Sequence, residues 1–253
     1  MAEMSYRTAL VTGASSGLGR GLALWLGKRG VKVYAAARRL SRLEELAQQG
    51  KAVGATLEPV ELDVSQADAT LARVRELDDA CGGLDLVVAN AGVGFPTNAR
   101  NFPWEDARRV IDVNVTGAAA TLSAVLPRMV ERDRGHLVGI SSLASCRGLP
   151  QNAAYSASKA FLDTFLESLR VDLHGTGVRV TCIRPGFVKT EITAGIQHPM
   201  PFLLEAEPAV EHMGQAILRG EDVYGFPWPM ARAVGMARWV PNALFDAVAS
   251  KVL

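Results

Sequence analysis

The sequence predicts an α/β fold in which one doubly wound parallel sheet carries helices on both faces. Three observations predict it. Six short apolar or β-branched runs alternate with longer helical stretches, the order that builds parallel strands joined by crossover helices. The runs are nearly all apolar instead of alternating, as strands buried on both sides must be. The first run feeds straight into a glycine-rich loop from which a helix starts, which is how a Rossmann-type nucleotide fold opens.

Taken in order, Thr8 to Thr12 reads as the first strand, and Gly17 to Lys28 as the helix leaving the loop Thr12-Gly13-Ala14-Ser15-Ser16-Gly17-Leu18-Gly19. Val31 to Ala37 is the second strand, followed by a helix over Ser41 to Gln49. Leu57 to Leu62 is the third strand, with a helix over Gln66 to Cys81. Leu84 to Ala89 is the fourth, and the long periodic stretch Pro103 to Arg132 is its crossover helix. His136 to Ser141 is the fifth, with a helix over Asn152 to His174, and Val178 to Ile183 is the sixth. Beyond it Pro185, Gly186, Pro199, Pro201, Pro208, Pro227 and Pro229 interrupt an apolar region, which reads as a substrate lid over 186–208 and an amphipathic tail over 228–253.

The chain has 253 residues, 49% apolar and 21% charged, and no repeat, low-complexity segment or linker divides it. Residues 1–253 are therefore read as a single dinucleotide-binding catalytic domain. Lys plus Arg is 27 against Asp plus Glu 26, so the balance points away from nucleic acid and toward a small-molecule partner. Cys81, Cys146 and Cys182 are widely separated, with no Cys-x-x-Cys or His cluster, which argues against disulfides and structural zinc. Met1 to Arg7 carries no apolar signal core and no uninterrupted run approaches a membrane span, so a cytoplasmic protein is expected. The sequon at Asn114-Val115-Thr116 then has no route to glycosylation.

The glycines after the first strand sit where backbone must bend and approach a ligand. Bare amides at the helix start and the positive end of its dipole make an anion site suited to a pyrophosphate. Their spacing, Gly-x-x-x-Gly-x-Gly, departs from the general dinucleotide fingerprint. A second feature is Tyr155 with Lys159, four residues apart on one helix face. A free tyrosine, with a pKa of about 10, is a poor proton carrier near neutrality. Unit charges about 4 Å apart at an effective dielectric near 20 interact by roughly 4 kcal/mol, or about 3 pKa units, enough to bring the phenol toward neutral pH.

The glycine spacing, Asp63 after the third strand, Asn90-Ala91-Gly92 after the fourth, Asn114, Ser142, Tyr155 with Lys159, and Pro185-Gly186 follow one another at strand ends. In that order they resemble the classical short-chain dehydrogenase/reductase family; beyond about Thr190 the family offers no guide. The resemblance implies that Tyr155 donates a proton to a carbonyl oxygen and that Ser142 hydrogen-bonds the same developing oxyanion. It implies that Lys159 lowers the tyrosine pKa and binds the nicotinamide ribose, that Asn114 holds a water passing protons toward Lys159, and that no metal is needed. Ser142 is taken over Ser141 or Ser145 on the family interval to the tyrosine. Cofactor contacts fall on Gly13, Ser15, Ser16, Gly17, Leu18, Gly19, Arg38, Asp63, Val64, Asn90, Ala91, Gly92, Tyr155, Lys159, Pro185, Gly186, Val188 and Thr190. Transfer of the pro-S hydride is implied. So is a homodimer or homotetramer pairing through the tyrosine helix and the one before it.

The second strand ends Ala35-Ala36-Ala37-Arg38-Arg39. Where NAD users of the family carry an acid stands Ala37, followed by Arg38, whose guanidinium suits an extra phosphate. NADP(H) is expected in preference to NAD(H), although Ser16 adds no second basic residue. Phe95, Pro96, Ala144 to Leu149, Phe187, Ile192, Ile196, Phe202 and Leu203 are expected to wall an apolar pocket fitting a hydrophobic aldehyde or ketone, or the matching secondary alcohol. Arg147 and His198 are expected in solvent. The tail is expected to cover the cleft or meet another subunit; resting on a membrane surface is the less favoured reading. A carbonyl reductase is the leading function. A 3-oxoacyl-carrier-protein reductase is the near alternative, and a nonenzymatic NADP-binding sensor the alternative from another class.

Overall fold

The computed structural model describes residues 5–195 and 199–249. Ile196 and His198, and Lys251 of the tail, lie outside the described residues. Seven strands, β1 (Thr8–Thr12), β2 (Lys32–Ala37), β3 (Leu57–Glu61), β4 (Leu86–Ala89), β5 (Gly135–Ile140), β6 (Val178–Pro185) and β7 (Val223–Phe226), form one sheet in the order β3-β2-β1-β4-β5-β6-β7. Every pairing is parallel. The chain winds outward one way from β1 and then the other way from β4, so a crevice opens between those two at the strands' carboxyl ends.

The helices are α1 (Gly17–Gly27), α2 (Leu40–Ala52), α3 (Ala67–Ala80), α4 (Trp104–Val110), α5 (Ala118–Glu131), α6 (Ala153–Asp172), α7 (Ala206–Arg219), α8 (Trp228–Ala237) and α9 (Asn242–Ala249). Strand alternation divides the apolar side chains between two cores. Ala9, Val11, Val33 and Ala35 face one core with Leu22 and Leu26 of α1, Leu43 and Leu46 of α2, and Met213 and Ile217 of α7. Leu10, Tyr34 and Ala36 face the other with Val74 and Leu77 of α3, Leu122 and Val125 of α5, and Leu162 and Leu166 of α6. At the amino end of β5, away from the crevice, buried His136 joins the Tyr6 hydroxyl at 2.7 Å and the Thr181 hydroxyl at 2.8 Å. Burial pushes its pKa down to about 3, so it serves as a neutral crosslink.

Three features depart from the sequence expectations. A seventh strand and α7 occupy what reads as a proline-broken stretch. Val-Tyr-Gly-Phe is too short, and too interrupted by Gly225 and the following Pro227, to announce itself, and pairing with β6 supplies the order. Helix α7 seats closely on α1: a Cβ on Gly214 would come within 2.5 Å of the Trp25 ring. The single helix expected from Pro103 to Arg132 is α4 and α5 joined through a π-helical segment, Ile111–Gly117. That continuous run, Trp104–Glu131, is 28 residues long and apolar enough to cross a membrane by length and composition, contrary to the reading that no run approaches a span. Half of its most apolar window is buried, and it packs against α3, β4 and α6.

Candidate active site

The carboxyl ends of the strands open on a cleft of about 420 Å³, lined by every residue expected to touch a cofactor. Its floor is two loops locked together. Gly13 and Gly17 have positive φ, +68° and +53°, and a Cβ on Gly13 would approach the Ala91 Cα to 2.8 Å. A Cβ on Gly19 would collide with the Gly13 carbonyl and the Asn90 amide. The Thr12 hydroxyl accepts from the backbone N–H of Asn90 and of Ala91, each at 3.1 Å, while Asn90 Nδ2 donates to the Thr12 carbonyl at 2.8 Å. Two motifs that are far apart in sequence thus form one bare backbone cradle at the α1 amino terminus, where the first amides lack intrahelical partners. A pyrophosphate fits it. Asp63 also lines the cleft, its carboxylate accepting from the Ser65 N–H and hydroxyl at 3.1 and 2.8 Å.

The opposite wall holds the polar groups. Ser141, the first residue beyond β5, is buried and donates its hydroxyl to the Lys159 carbonyl at 3.2 Å. Ser142 lines the cleft, its hydroxyl accepting from the Ala144 N–H at 3.1 Å and donating to the Pro185 carbonyl at 3.5 Å, near enough to the Tyr155 phenol to pull its pKa down. Alternation at the strand end settles which serine meets the tyrosine. The Lys159 ammonium is 5.8 Å from the Tyr155 ring centroid and donates to the Ile140 carbonyl at 2.7 Å. Asn114 comes from the π-helical segment, a distortion that often marks functional sites, and is 1% exposed. Its Oδ1 accepts from the Val93 N–H at 2.8 Å, and its Nδ2 donates to the Val93 carbonyl and the Ser158 hydroxyl. Asn114 stands behind the cleft wall, next to Gly92: a Cβ on Gly92 would sit 3.5 Å from both Asn114 Oδ1 and Lys159 Nζ.

The electrostatics differ from the sequence expectation. Burial raises the Tyr155 phenol above its ordinary value, and the Ser142 hydrogen bond pulls it partway back. The ammonium donates to the Ile140 carbonyl, and burial is the larger influence on the phenol, which is not brought toward neutrality. Burial lowers Lys159 itself to about 8, against the opposing pull of Cys182 and Asp163. At neutral pH the pair is a protonated phenol beside a charged lysine.

At the far end of the cleft Arg38 lines the wall as expected, but Arg39, which the sequence reading passed over, makes the contacts. Its Nε and Nη2 donate to the Ser15 hydroxyl at 3.1 and 3.0 Å, and Nη2 also donates to the Ser16 hydroxyl at 2.8 Å. Arg42 lies close by, joined to Arg39 through the carboxylate of Glu191. Arg39 and Arg42 thus place two guanidiniums beside the glycine loop. Adjacency of Arg38 and Arg39 was the only available signal, and it does not say which one turns inward.

Of the expected pocket walls, Phe95 and Ile192 line the cleft, with the Arg109 guanidinium 4.8 Å from the Phe95 ring centroid. Phe202 and Leu203 are exposed. Arg147 is not a solvent residue. It donates to the Ala237 carbonyl at 2.7 Å, to the Val240 carbonyl at 2.5 Å and to Asn242 Oδ1 at 2.7 Å, and lies over the Phe245 ring. The arginine thereby ties the tail to the loop that follows Ser142. Helix α8 packs on β7 and on that loop, while Trp239 stays 85% exposed. Among the described residues no group of three or more His, Cys, Asp or Glu is placed to hold a metal.

The comparisons agree with this geometry. The family model described as short chain dehydrogenase matches residues 7–201. An uncharacterised oxidoreductase of Myxococcus xanthus (strain DK1622) is 68% identical over 252 residues, covering 100% of both chains. The closed form of a serine dehydrogenase complexed with NADP+ superposes with a TM-score of 0.76 at 32% identity, over 87% of this chain and 94% of that one. A short-chain dehydrogenase/reductase from Burkholderia phymatum in complex with NAD gives 0.83 at 25% identity, over 92% and 93%.

Proposed function

The chain belongs to the classical short-chain dehydrogenase/reductase family, a family of nicotinamide-dependent oxidoreductases, and from that premise we propose that it interconverts an apolar aldehyde or ketone and its alcohol with NADP(H). One observation carries the reading. The Tyr155 phenol, with Ser142 and Lys159 beside it, faces a cleft whose other end is a bare glycine cradle flanked by arginines.

Bound NADPH supplies the hydride. Tyr155, kept protonated by burial, gives its proton to the carbonyl oxygen as negative charge builds there. Ser142 donates a hydrogen bond to the same oxygen. Lys159, charged below pH of about 8, stabilises the phenolate that results and would hold the ribose hydroxyls of a bound cofactor. Asn114 fixes the Val93 backbone on both its N–H and its carbonyl, and its Oδ1 keeps a second lone pair for a water leading toward Lys159. Phe95 and Ile192 favour an apolar substrate. Exposed Phe161 and Val171 on α6 support pairing with a second copy.

NADP(H) is favoured by Arg39 and Arg42 beside Ser15 and Ser16, and by Ala37 where an acid would repel phosphate. The experiment is a panel of aldehydes, ketones and secondary alcohols followed by nicotinamide absorbance with each cofactor. Turnover with at least about tenfold higher kcat/KM for NADPH than for NADH, a difference of roughly 1.4 kcal/mol, is expected. Preference for NADH removes the cofactor assignment. Silence across the panel with NADPH bound tightly favours the sensor.

A further inference from the structure

Glu191, on the lid, reaches across the mouth of the cleft to its far wall. One carboxylate oxygen accepts from Arg42 Nη1 at 2.8 Å and Arg39 Nη1 at 3.4 Å, and the other from Arg39 Nη2 at 3.2 Å and the Ser16 hydroxyl at 3.1 Å. Donors from the glycine loop, the end of β2 and the start of α2 converge on one anion. They hold the Glu191 carboxyl below its ordinary value, Arg39 contributing most. Arg39 at the same time grips the Ser15 hydroxyl.

Two arginine forks and a serine hydroxyl beside the glycine cradle are the donors that a phosphate on the adenosine ribose needs. A carboxylate and a phosphate dianion cannot share them without like-charge repulsion. The segment around Glu191 is built to stay in place. A Cβ on Gly17 would touch the Thr190 side chain at 3.4 Å. The Thr193 hydroxyl donates to the Val188 carbonyl at 2.7 Å and accepts from the Thr190 N–H at 3.0 Å. Only the exposed Glu191 side chain, 55% accessible, has to swing for the arginines to change partner.

We propose that Glu191 is an internal competitor for the ribose 2′-phosphate subsite, strapping the lid to Arg39 and Arg42, so that NADP(H) must break the strap while NAD(H) leaves it intact. Glu191 thereby sets how strongly the enzyme prefers one cofactor. The inference rests on the NADP(H) reading above, and its test separates the two. Adenosine 2′,5′-bisphosphate and 5′-AMP differ by the 2′-phosphate alone, so their affinities are measured by calorimetry on wild type, Glu191→Gln, and an Arg39→Ala, Arg42→Ala double variant. Glu191→Gln tightens the bisphosphate by about tenfold and leaves 5′-AMP within about twofold. An unchanged or weakened bisphosphate affinity in Glu191→Gln, or equal tightening of both ligands, overturns the proposal. If the double variant loses its preference for the bisphosphate while Glu191→Gln is silent, the strap alone fails. If the double variant keeps the wild-type ratio of the two ligands, the phosphate subsite fails and the proposal falls with it.

Discussion

Replacing Tyr155 with phenylalanine lowers kcat for carbonyl reduction by about 10² to 10⁴-fold, the usual contribution of a positioned general acid, and leaves the NADPH Kd within about threefold. The substitution removes one hydroxyl and keeps the ring, which packs beside Gly94, so the wall of the cleft is preserved. Burial holds the proton on the phenol at neutral pH, so the group lost is the one already loaded to donate. Ser142 cannot replace it: a serine hydroxyl stabilises the developing oxyanion by hydrogen bonding but is a far weaker acid. Steady-state kinetics beside a fluorescence titration with NADPH separate the two quantities. A variant retaining more than about a tenth of wild-type turnover removes Tyr155 from the acid role.

Lys159→Met has a different signature. It keeps the aliphatic stem and deletes a buried ammonium, so kcat falls by about 10²-fold and the NADPH Kd rises about tenfold, because in the proposed mechanism one charge serves both the phenolate and the ribose. The wild-type pH profile carries the same information. Burial lowers the lysine to about 8, so the cation is present below that pH and lost above it. Reduction therefore holds up to pH of about 8 and declines beyond, while the residual activity of Lys159→Met lacks that limb. Cofactor affinity unaffected by Lys159→Met would remove the ribose contact.

The sheet was legible because two-sided burial forces nearly continuous apolar strands, and six of the seven strands announce themselves that way. The seventh is four residues long with a glycine inside, so its identity depends on β6 beside it. The cradle was legible because glycine is the one residue whose absence of a side chain can be read directly. Ser142 against Ser141 needed the place where β5 ends, since alternation cannot be counted without an end. The glycine-loop and strand-end motifs did not indicate that Arg39 turns inward, that Arg147 caps the tail, or that Glu191 spans the cleft. Each is a contact between segments separated by about 90 residues or more, or a choice between adjacent side chains. The pKa expectation failed for a related reason: helix spacing places Lys159 on the tyrosine's face but does not reveal that burial surrounds both groups.

In the proposed reaction hydride passes from the nicotinamide to a carbonyl carbon while Tyr155 protonates the oxygen. The direct measurement uses NADPH deuterated at the pro-S position of C4, with the carbonyl compound found in the panel, and mass spectrometry of the alcohol formed. One deuterium on the carbinol carbon, with product formation all but abolished by Tyr155→Phe, is the expected result. Carbinol hydrogen drawn from solvent, or equal product from the phenylalanine variant, would contradict it.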